Sequence, residues 1–307
     1  MSHTQAPPSK TLHWADGLLL LTAFFWGINF VLIKVALLEI PIPILNPLRY
    51  LVAAFVMLGV AAALGYSLKI QRRHLWYIII VGILGNSIYP LFFIIGLNNT
   101  TADNSALILA TLPVWVAVIG TLFGTEQVDP KGWGGVTLSL IGIALVVIGS
   151  DRQVELHFGG ATLWGDFMMF IAGLCWAIYT IALRPLMKDY DPVPLAGVIT
   201  IIGIIPMLLW GIPDMLQFSW QTVSIAAWSS LTTAAIFPIA LAYFFWGYGV
   251  AHLGSARTAL YLNVVPPFTL LFAWLWLGET LTALQWVGAI VALAGVAIAR
   301  QHTIQLN

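Results

Sequence analysis

The sequence has 307 residues, of which 60% are hydrophobic and only 8% are Asp, Glu, Lys or Arg. Its 12 acidic and 12 basic residues give a formal net charge of zero, and the mean hydropathy is +0.95. About a quarter of the residues in a soluble domain are charged, so this composition excludes an ordinary soluble protein. We therefore expect a chain that is solvated by lipid.

Long apolar segments follow one another along the whole chain. A helix needs roughly 20 residues to cross a hydrocarbon core of about 30 Å, and it satisfies its own backbone hydrogen bonds there. Clusters of polar, Pro and Gly residues divide the sequence into ten such predicted helices. Numbered as spans 1 to 10, they are Trp14–Leu38, Ile44–Leu64, Leu75–Leu97, Ala102–Gly124, Gly132–Gly149, Ala161–Leu183, Val193–Ile212, Ser224–Val250, Ala256–Leu277 and Leu281–Arg300. Residues 1–13 and 301–307 are predicted to be short tails, and no separate soluble domain is expected.

The positions of Lys and Arg predict the orientation, because cytoplasmic loops carry an excess of these residues. With a cytoplasmic N-terminus, nine of them fall on the cytoplasmic side, and two, Lys34 and Arg152, fall on the other. The nine are Lys10, Lys69, Arg72, Arg73, Lys131, Arg184, Lys188, Arg257 and Arg300. We therefore predict that both termini are cytoplasmic.

The chain contains two copies of one pattern, related by a shift of 150 residues early in each copy and 153 later. The matched pairs include Asp16 with Asp166, Trp26 with Trp176, Pro113 with Pro266, Glu126 with Glu279, and Gly142 with Gly295. The pattern predicts five-helix repeats at 14–150 and 161–300, joined by a periplasmic linker at 151–160. Five is odd, so the second copy crosses the membrane inverted. Inverted repeats are typical of secondary transporters, which bind substrate near the midplane between the repeats.

Four acidic residues belong to this twinned pattern. Glu126 and Glu279 lie in tight turns between consecutive helices, where a carboxylate faces the unpaired amides of the next helix. A structural cap is one interpretation of them, and a gating or proton-carrying role is the other. Asp16 and Asp166 open their helices and have the same two interpretations.

The tandem halves, a proline and a glutamate with twelve residues between them in each half, and the motif GETLT at 278–282 carry a family resemblance. The chain resembles the EamA-type branch of the drug/metabolite transporter superfamily, and within it most of all the YddG-type amino-acid exporters of bacterial inner membranes. The resemblance implies a basket of ten helices around a central cavity, which is lined mainly by helices 1, 3, 4, 6, 8 and 9. It also implies the direction of transport, which is export.

Aromatic and amide residues recur on the helices that this resemblance places around the cavity. The candidates for substrate binding are Trp26, Asn29, Tyr89, Phe93, Trp115, Trp176, Tyr179, Tyr243, Trp246, Tyr261 and Asn263. Each aromatic residue could instead serve core packing. Asn29 favours a binding site, because an amide at mid-membrane depth needs a partner or a wet cavity.

Arg49 is the one basic residue left out of this orientation tally, and it falls within span 2. A charge at the centre of a span costs about 2.5–3.5 kcal/mol on insertion scales. One interpretation is structural anchoring, with the side chain reaching towards the outer membrane surface. The other is binding of a substrate carboxylate, and Arg49 is therefore included among the candidate binding residues.

Prolines inside the spans are candidate hinges, because each removes a backbone donor and leaves a carbonyl unpaired. They are Pro90, Pro113, Pro238, Pro266 and Pro267. Small residues on spans 5 and 10 predict close packing of those two helices. They are Gly135, Gly142, Gly149, Gly288, Ala292, Gly295 and Ala299.

Rival functions lack the residues that they need. There is no phosphate-binding glycine loop and no HExxH motif, and Ser255 near His252 has no acid or oxyanion partner in view. A sugar-phosphate carrier needs several cations in its spans, and a channel needs a lining ring or filter. We therefore expect a secondary transporter, not an enzyme, for small neutral or zwitterionic metabolites, with apolar and aromatic amino acids first and other metabolites or drugs as alternatives. The expected partners are that small molecule and the lipid bilayer, without cofactor, metal or nucleic acid, and a monomer suffices.

Overall fold

A computed structural model describes residues 14–100, 108–124, 126–149, 163–277 and 282–305. Nearly all of these residues are helical. The side chain of Glu126, and the whole of Glu279 and Arg152, lie outside this part of the chain, so the predictions made for them stay predictions.

Helices occupy the described part of every predicted span. Spans 1 to 5 contain the helices Trp14–Leu37, Ile42–Ala63, Leu75–Ile83 with Tyr89–Asn99, Leu112–Leu122, and Pro130–Ile148. Spans 6 to 10 contain Leu163–Leu186, Pro192–Gly203 with Ile205–Gln217, Ile225–Ala235 with Ala242–Leu253, Ser255–Ala259 with Val265–Leu277, and Ala283–Gln301. Two short strands, β1 (Glu126–Val128) and β2 (Thr303–Gln305), pair antiparallel.

Within the described residues, six helices are long and apolar enough to cross a membrane, and the bent pair in span 7 makes a seventh. Spans 4, 5 and 9 coincide with further apolar helical segments. The prediction of an all-helical integral membrane protein is therefore confirmed, while the count of ten remains the count predicted from the sequence.

Span 7 is bent by 50° between Pro192–Gly203 and Ile205–Gln217, whereas the sequence predicted one continuous segment, Val193–Ile212. The bend follows from Pro206, which has no N–H to donate to the carbonyl four residues earlier. Helix Ile205–Gln217 begins with this proline in its first turn, where a missing donor costs nothing.

The candidate hinge prolines all lie at irregular points of their spans. A π-helical turn, Leu84–Ile88, precedes Pro90, and another, Ile236–Leu241, contains Pro238. The other three lie in the first turns of Leu112–Leu122 and Val265–Leu277, namely Pro113, Pro266 and Pro267. Wider turns and helix starts both accommodate the missing backbone donor.

Spans 5 and 10 are in direct backbone contact, as the small residues predicted. A Cβ added to Gly142 would lie 2.2 Å from the backbone nitrogen of Ala292, and one added to Gly135 would lie 2.4 Å from that of Ala299. Either would be a severe clash, so these glycines are required by the helix spacing. The predicted close packing of the two spans is confirmed.

Connections that the inverted topology places on the same side of the membrane contact each other. We call the end of the bundle where span 1 begins and span 10 ends the terminal face, and the other end the opposite face. On the terminal face, the Asp129 carboxylate lies 2.8 Å from Nδ1 of His302, and β1 pairs with β2. On the opposite face, Glu39 accepts hydrogen bonds of 2.6 Å from both the backbone N–H and the hydroxyl of Ser224.

Candidate functional site

Trp176 is the centre of an aromatic cluster built from spans 1, 3, 6 and 8. It lies near the middle of the 24-residue helix Leu163–Leu186 and is only 3% exposed. Its ring centroid lies 4.7–5.7 Å from five other rings, those of Trp26, Tyr89, Tyr179, Tyr243 and Trp246. We call these six residues the aromatic cluster. The sequence predicted all six as candidate binding residues, and the structure brings them together.

Local helix geometry explains how the cluster assembles. Tyr179 follows Trp176 by three residues on span 6, and Trp246 follows Tyr243 by three on span 8, so each pair shares one helix face. Gly85, in the π-helical turn of span 3, makes room for the Tyr179 ring, because a Cβ there would lie 2.3 Å from a ring carbon. A glycine at this point is therefore part of the cluster's architecture.

The indole of Trp26 is anchored across the bundle. Its Nε1 donates a 2.8 Å hydrogen bond to the carbonyl oxygen of Pro238. Pro238 lies in the π-helical turn of span 8, where the N–H of Ala242 bonds to Phe237 and Ile239 instead. The irregular turn thus supplies the acceptor that fixes the orientation of Trp26.

Arg49 is buried, at 4% exposure, and its hydrogen-bond partners are neutral. One terminal nitrogen donates to the side-chain oxygen of Asn29 at 2.8 Å, and the other to that of Asn46 at 3.3 Å. Its Nε has no partner, and no carboxylate in the described part of the chain forms an ion pair with it. The side chain is held inside the bundle, so it carries a buried positive charge without a counter-ion among these residues.

Tyr50 connects Arg49 to the aromatic cluster. Its hydroxyl lies 3.1 Å from that of Tyr243, and the two rings meet edge to face at 6.3 Å. Tyr50 was not predicted from the sequence, because adjacent residues on a helix point in different directions and no periodicity links it to Arg49. Asn46 was also missed, although its spacing of three residues from Arg49 indicates a shared face.

Four other candidates lie at the edge of the cluster or away from it. Phe93 lies beside the cluster, with its ring 6.0 Å from that of Tyr89. Trp115 donates to the Thr111 hydroxyl at 3.0 Å, and Asn263 donates to that of Ser139 at 2.7 Å. Tyr261 lies near the terminal face, where it forms part of a second polar group.

That second group centres on Asp16, which is fully buried. Its carboxylate accepts from the Tyr261 hydroxyl at 2.6 Å and from Nε of Arg300 at 2.7 Å. A terminal nitrogen of Arg300 contacts the second carboxylate oxygen, and a terminal nitrogen of Arg257 lies 3.5 Å from that oxygen. We call these four residues the Asp16 cluster. A helix-capping role for Asp16 accounts for none of these contacts, which join residues about 240 or more positions apart.

Outside the spans, hydrogen bonding shifts two carboxyl groups. The hydroxyl and the N–H of Ser224 lower the pKa of Glu39 below its ordinary value of 4.5. The N–H of Gly132, with His302 adding a smaller effect, lowers the pKa of Asp129. Both groups therefore stay ionised at neutral pH and stabilise their loops there. Among the described residues, no set of three His, Cys, Asp or Glu side chains could hold a metal.

The membrane-crossing helices, with a buried cation and an aromatic cluster between them, define a multi-pass membrane protein. The family model of the EamA-like transporters matches residues 13–148 and, a second time, residues 163–301. The chain therefore belongs to the EamA-like transporter family, and the double match confirms two copies of one unit.

Relatives and a solved structure agree with this assignment. An uncharacterized transporter of Archaeoglobus fulgidus is 28% identical over 93% of this chain and 97% of its own length. The uncharacterized transporter YyaM of Bacillus subtilis is 27% identical over 81% of each chain. A protein of Streptantibioticus cattleyicolor named "Probable terminal-alkyne amino-acid exporter" is 26% identical over 95% of this chain and 94% of its own. A crystal structure 17% identical superposes with a TM-score of 0.79 over 93% of this chain and 96% of its own, which shows the shared fold.

Proposed function

We propose that this protein exports amino acids with apolar or aromatic side chains across a bacterial inner membrane by alternating access. The family membership and the name of the Streptantibioticus cattleyicolor relative support this proposal. The proposal includes cytoplasmic termini, repeats at 14–150 and 161–300, and a monomer as the working unit. It includes no cofactor, and its only partners are the small-molecule substrate and the lipid bilayer.

The observation that carries the proposal is the uncompensated charge of Arg49. A buried guanidinium normally pairs with an acid, because an unpaired charge costs several kcal/mol in a low-dielectric interior. Among the described residues, Arg49 has only the side-chain oxygens of Asn29 and Asn46 as partners, and its Nε has none. A substrate carboxylate would supply the missing counter-ion, and charged hydrogen bonds of this kind contribute about 1.5–3 kcal/mol.

The aromatic cluster suits the remainder of an amino acid. An ammonium group is attracted to the faces of Trp and Tyr rings by about 0.5–2 kcal/mol. An apolar or aromatic side chain gains contact area against the same rings, at about 25 cal/mol per Å². We propose that the ammonium group contacts the ring faces of Trp176 and Trp246 and needs no acidic residue. The indole N–H groups of these two residues have no partner among the described residues.

Binding requires the cluster to open. Trp26 and Trp176 are in edge-to-face contact at 5.6 Å, which leaves no space for a substrate ring between them. We propose that these two rings are opposing walls of the substrate site, which requires spans 1 and 6 to separate when substrate enters. A substrate ring would then replace ring–ring contacts with similar ones, so the exchange exposes little apolar surface.

Transport in proteoliposomes tests the proposal, with phenylalanine compared against phenylalaninamide, which keeps the ring and the amine but lacks the carboxylate. We expect the acid to compete for uptake roughly ten- to hundredfold better, the factor set by the charged hydrogen bonds. In Arg49→Gln this preference should disappear. The matched control Arg72→Gln, which changes an exposed arginine, should retain it.

Two results would contradict the proposal in different ways. Equal competition by the acid and the amide in the unchanged protein would remove the carboxylate role of Arg49. Uptake of other metabolites or drugs, with no amino acid competing, would show that the substrate class is wrong. Counterflow of labelled substrate separates a transporter from a channel, because only a carrier exchanges one molecule for another.

A further inference from the structure

The Asp16 cluster joins helices of both repeats at one end of the bundle. Asp16 belongs to span 1, Arg257 and Tyr261 belong to span 9, and Arg300 lies in the last turn of span 10. Asp16 lies ten residues before Trp26 on one helix, which is about 15 Å along its axis. The cluster therefore lies between the aromatic cluster and the terminal face.

The cluster depends on the present spacing of the three spans. Asp16 is 0% exposed, and Arg257 and Arg300 are 9% and 7% exposed, so water does not compete for these contacts. Hydrogen bonds of 2.6–2.7 Å are lost when helices move apart by even two or three ångströms. Opening a path from the aromatic cluster to the terminal face along span 1 would have to break them.

The residues of the Asp16 cluster are only partly matched at their twin positions in the other repeat. Asp16 has a twin, Asp166, but the shift of 153 places the other three members opposite uncharged residues of the first repeat. Arg257 matches Asn104, Tyr261 matches Ile108, and Arg300 matches Val147. In the structure, Asp166 accepts a hydrogen bond from the Thr100 hydroxyl. The twin positions on the opposite face therefore cannot form an equivalent group with two arginines.

We propose that the Asp16 cluster is a conformational lock that holds the terminal face closed and makes this closed state the resting state. Two identical inverted repeats would give the states open to either face equal free energies. The two arginines of the Asp16 cluster have no charged counterpart at their twin positions, so the cluster lowers the free energy of the state in which the terminal face is closed. The lock rests on the proposed alternating access, but it makes no assumption about which substrate is carried.

Thr258 offers a reporter for the lock. It is fully buried beside Arg257, and its hydroxyl has no partner among the described residues, so Thr258→Cys removes one methyl group and no hydrogen bond to these residues. In a Cys175→Ala background it is the only thiol of the chain, because the sequence contains one cysteine. A polar maleimide can reach this thiol only when the terminal face opens.

The experiment measures the maleimide labelling rate of Thr258→Cys in purified protein, without substrate. Arg257→Gln leaves the Asp16–Arg300 pair intact, and it should label about tenfold faster, which corresponds to about 1.4 kcal/mol lost from the closed state. Arg257→Lys, which keeps the charge, should label at nearly the original rate. The double variant Asp16→Asn/Arg300→Gln, which removes the ion pair without leaving one charge alone, should also label faster.

Asp166→Asn is the matched control, because it changes the twin carboxylate on the opposite face, and it should not increase labelling at Thr258→Cys. Melting temperature and gel filtration of each variant separate opening from unfolding. Equal labelling rates in all folded variants, or an equal increase in Asp166→Asn, would overturn the lock. Faster labelling in a protein that transports no amino acid would support the lock and refute the proposed substrate. Unchanged labelling with intact amino-acid transport would refute the lock and support the proposed substrate.

Discussion

The contact between spans 5 and 10 predicts opposite effects for one substitution at two positions of the same helix. In Gly142→Ala the new Cβ would lie 2.2 Å from the backbone nitrogen of Ala292 and 2.7 Å from the carbonyl oxygen of Gly288. Both obstacles are backbone, so the helices must separate by about 1 Å. Overpacking costs about 1–3 kcal/mol, and the upper end applies here because no flexible side chain can give way. In Gly134→Ala the new Cβ meets nothing within 4 Å, and alanine stabilises a helix by about 0.5–1 kcal/mol relative to glycine.

Cys175 provides the assay, because it is the only cysteine and it is buried. A dye that fluoresces on reaction with thiols reports its exposure as the protein unfolds on heating. At about 2 °C per kcal/mol for a chain of this size, Gly142→Ala should lower the melting temperature by about 4–6 °C. Gly134→Ala should leave it unchanged or raise it by about 1–2 °C. Equal shifts in the two variants would refute the close packing as the reason for Gly142.

Three further predictions concern the cluster, the prolines and the opposite face. Trp26→Ala should weaken the apparent affinity for aromatic substrates roughly three- to tenfold, and for alanine less, because a ring contact contributes about 0.5–1.5 kcal/mol beyond area burial. Competition in proteoliposomes measures this, and an equal loss for every substrate would contradict it. Pro113→Ala or Pro267→Ala restores a backbone donor, so we expect near-normal expression and slower transport; transport at the original rate would mean that the prolines are static. Glu39→Gln should reduce the fall in melting temperature on acidification, with the melting temperature measured by tryptophan fluorescence. The lowered pKa of Glu39 means that its contact with Ser224 stabilises the fold above about pH 4.5 and is lost as the pH falls through the lower folded-state value, so a parallel pH dependence in both proteins would count against it.

The parts of the fold that follow from composition and from regularly spaced residues were predictable. Helical spans, the repeat and the close packing of spans 5 and 10 all follow from residues that recur at regular spacing. The bend in span 7 could have been predicted from Pro206, but nothing in the periodicity marked where the helix restarts. The pairing of Glu126–Val128 with Thr303–Gln305 could not be predicted, because three-residue strands have no detectable alternation and these two lie far apart in the chain.

The residues of the candidate site were also predictable only in part. Trp26, Trp176 and their ring neighbours were predicted because pairs on one helix face share a spacing of three residues. Tyr50 and the partners of Asp16 were missed, because their contacts depend on how separate helices meet. The distance in sequence from Asp16 to Arg300 is 284 residues, and no local pattern encodes such a contact.

Symmetry between the repeats indicates which residues build the scaffold, and its absence indicates where the two halves differ in chemistry. Gly142 and Gly295 are twins, and each meets the backbone of the facing helix too closely for a side chain, so the matched residues maintain the packing. Arg49 has no charged counterpart near Ile199 and Thr200, and Arg257 and Arg300 correspond to Asn104 and Val147. A buried charge that occurs in only one repeat is not needed for the fold that both repeats share, because the other repeat folds without it. Such a charge costs free energy wherever it is buried, so its presence in a single copy points to a role in binding or in the difference between the two open states. The unmatched arginines are therefore the residues at which this chain can be tested most directly.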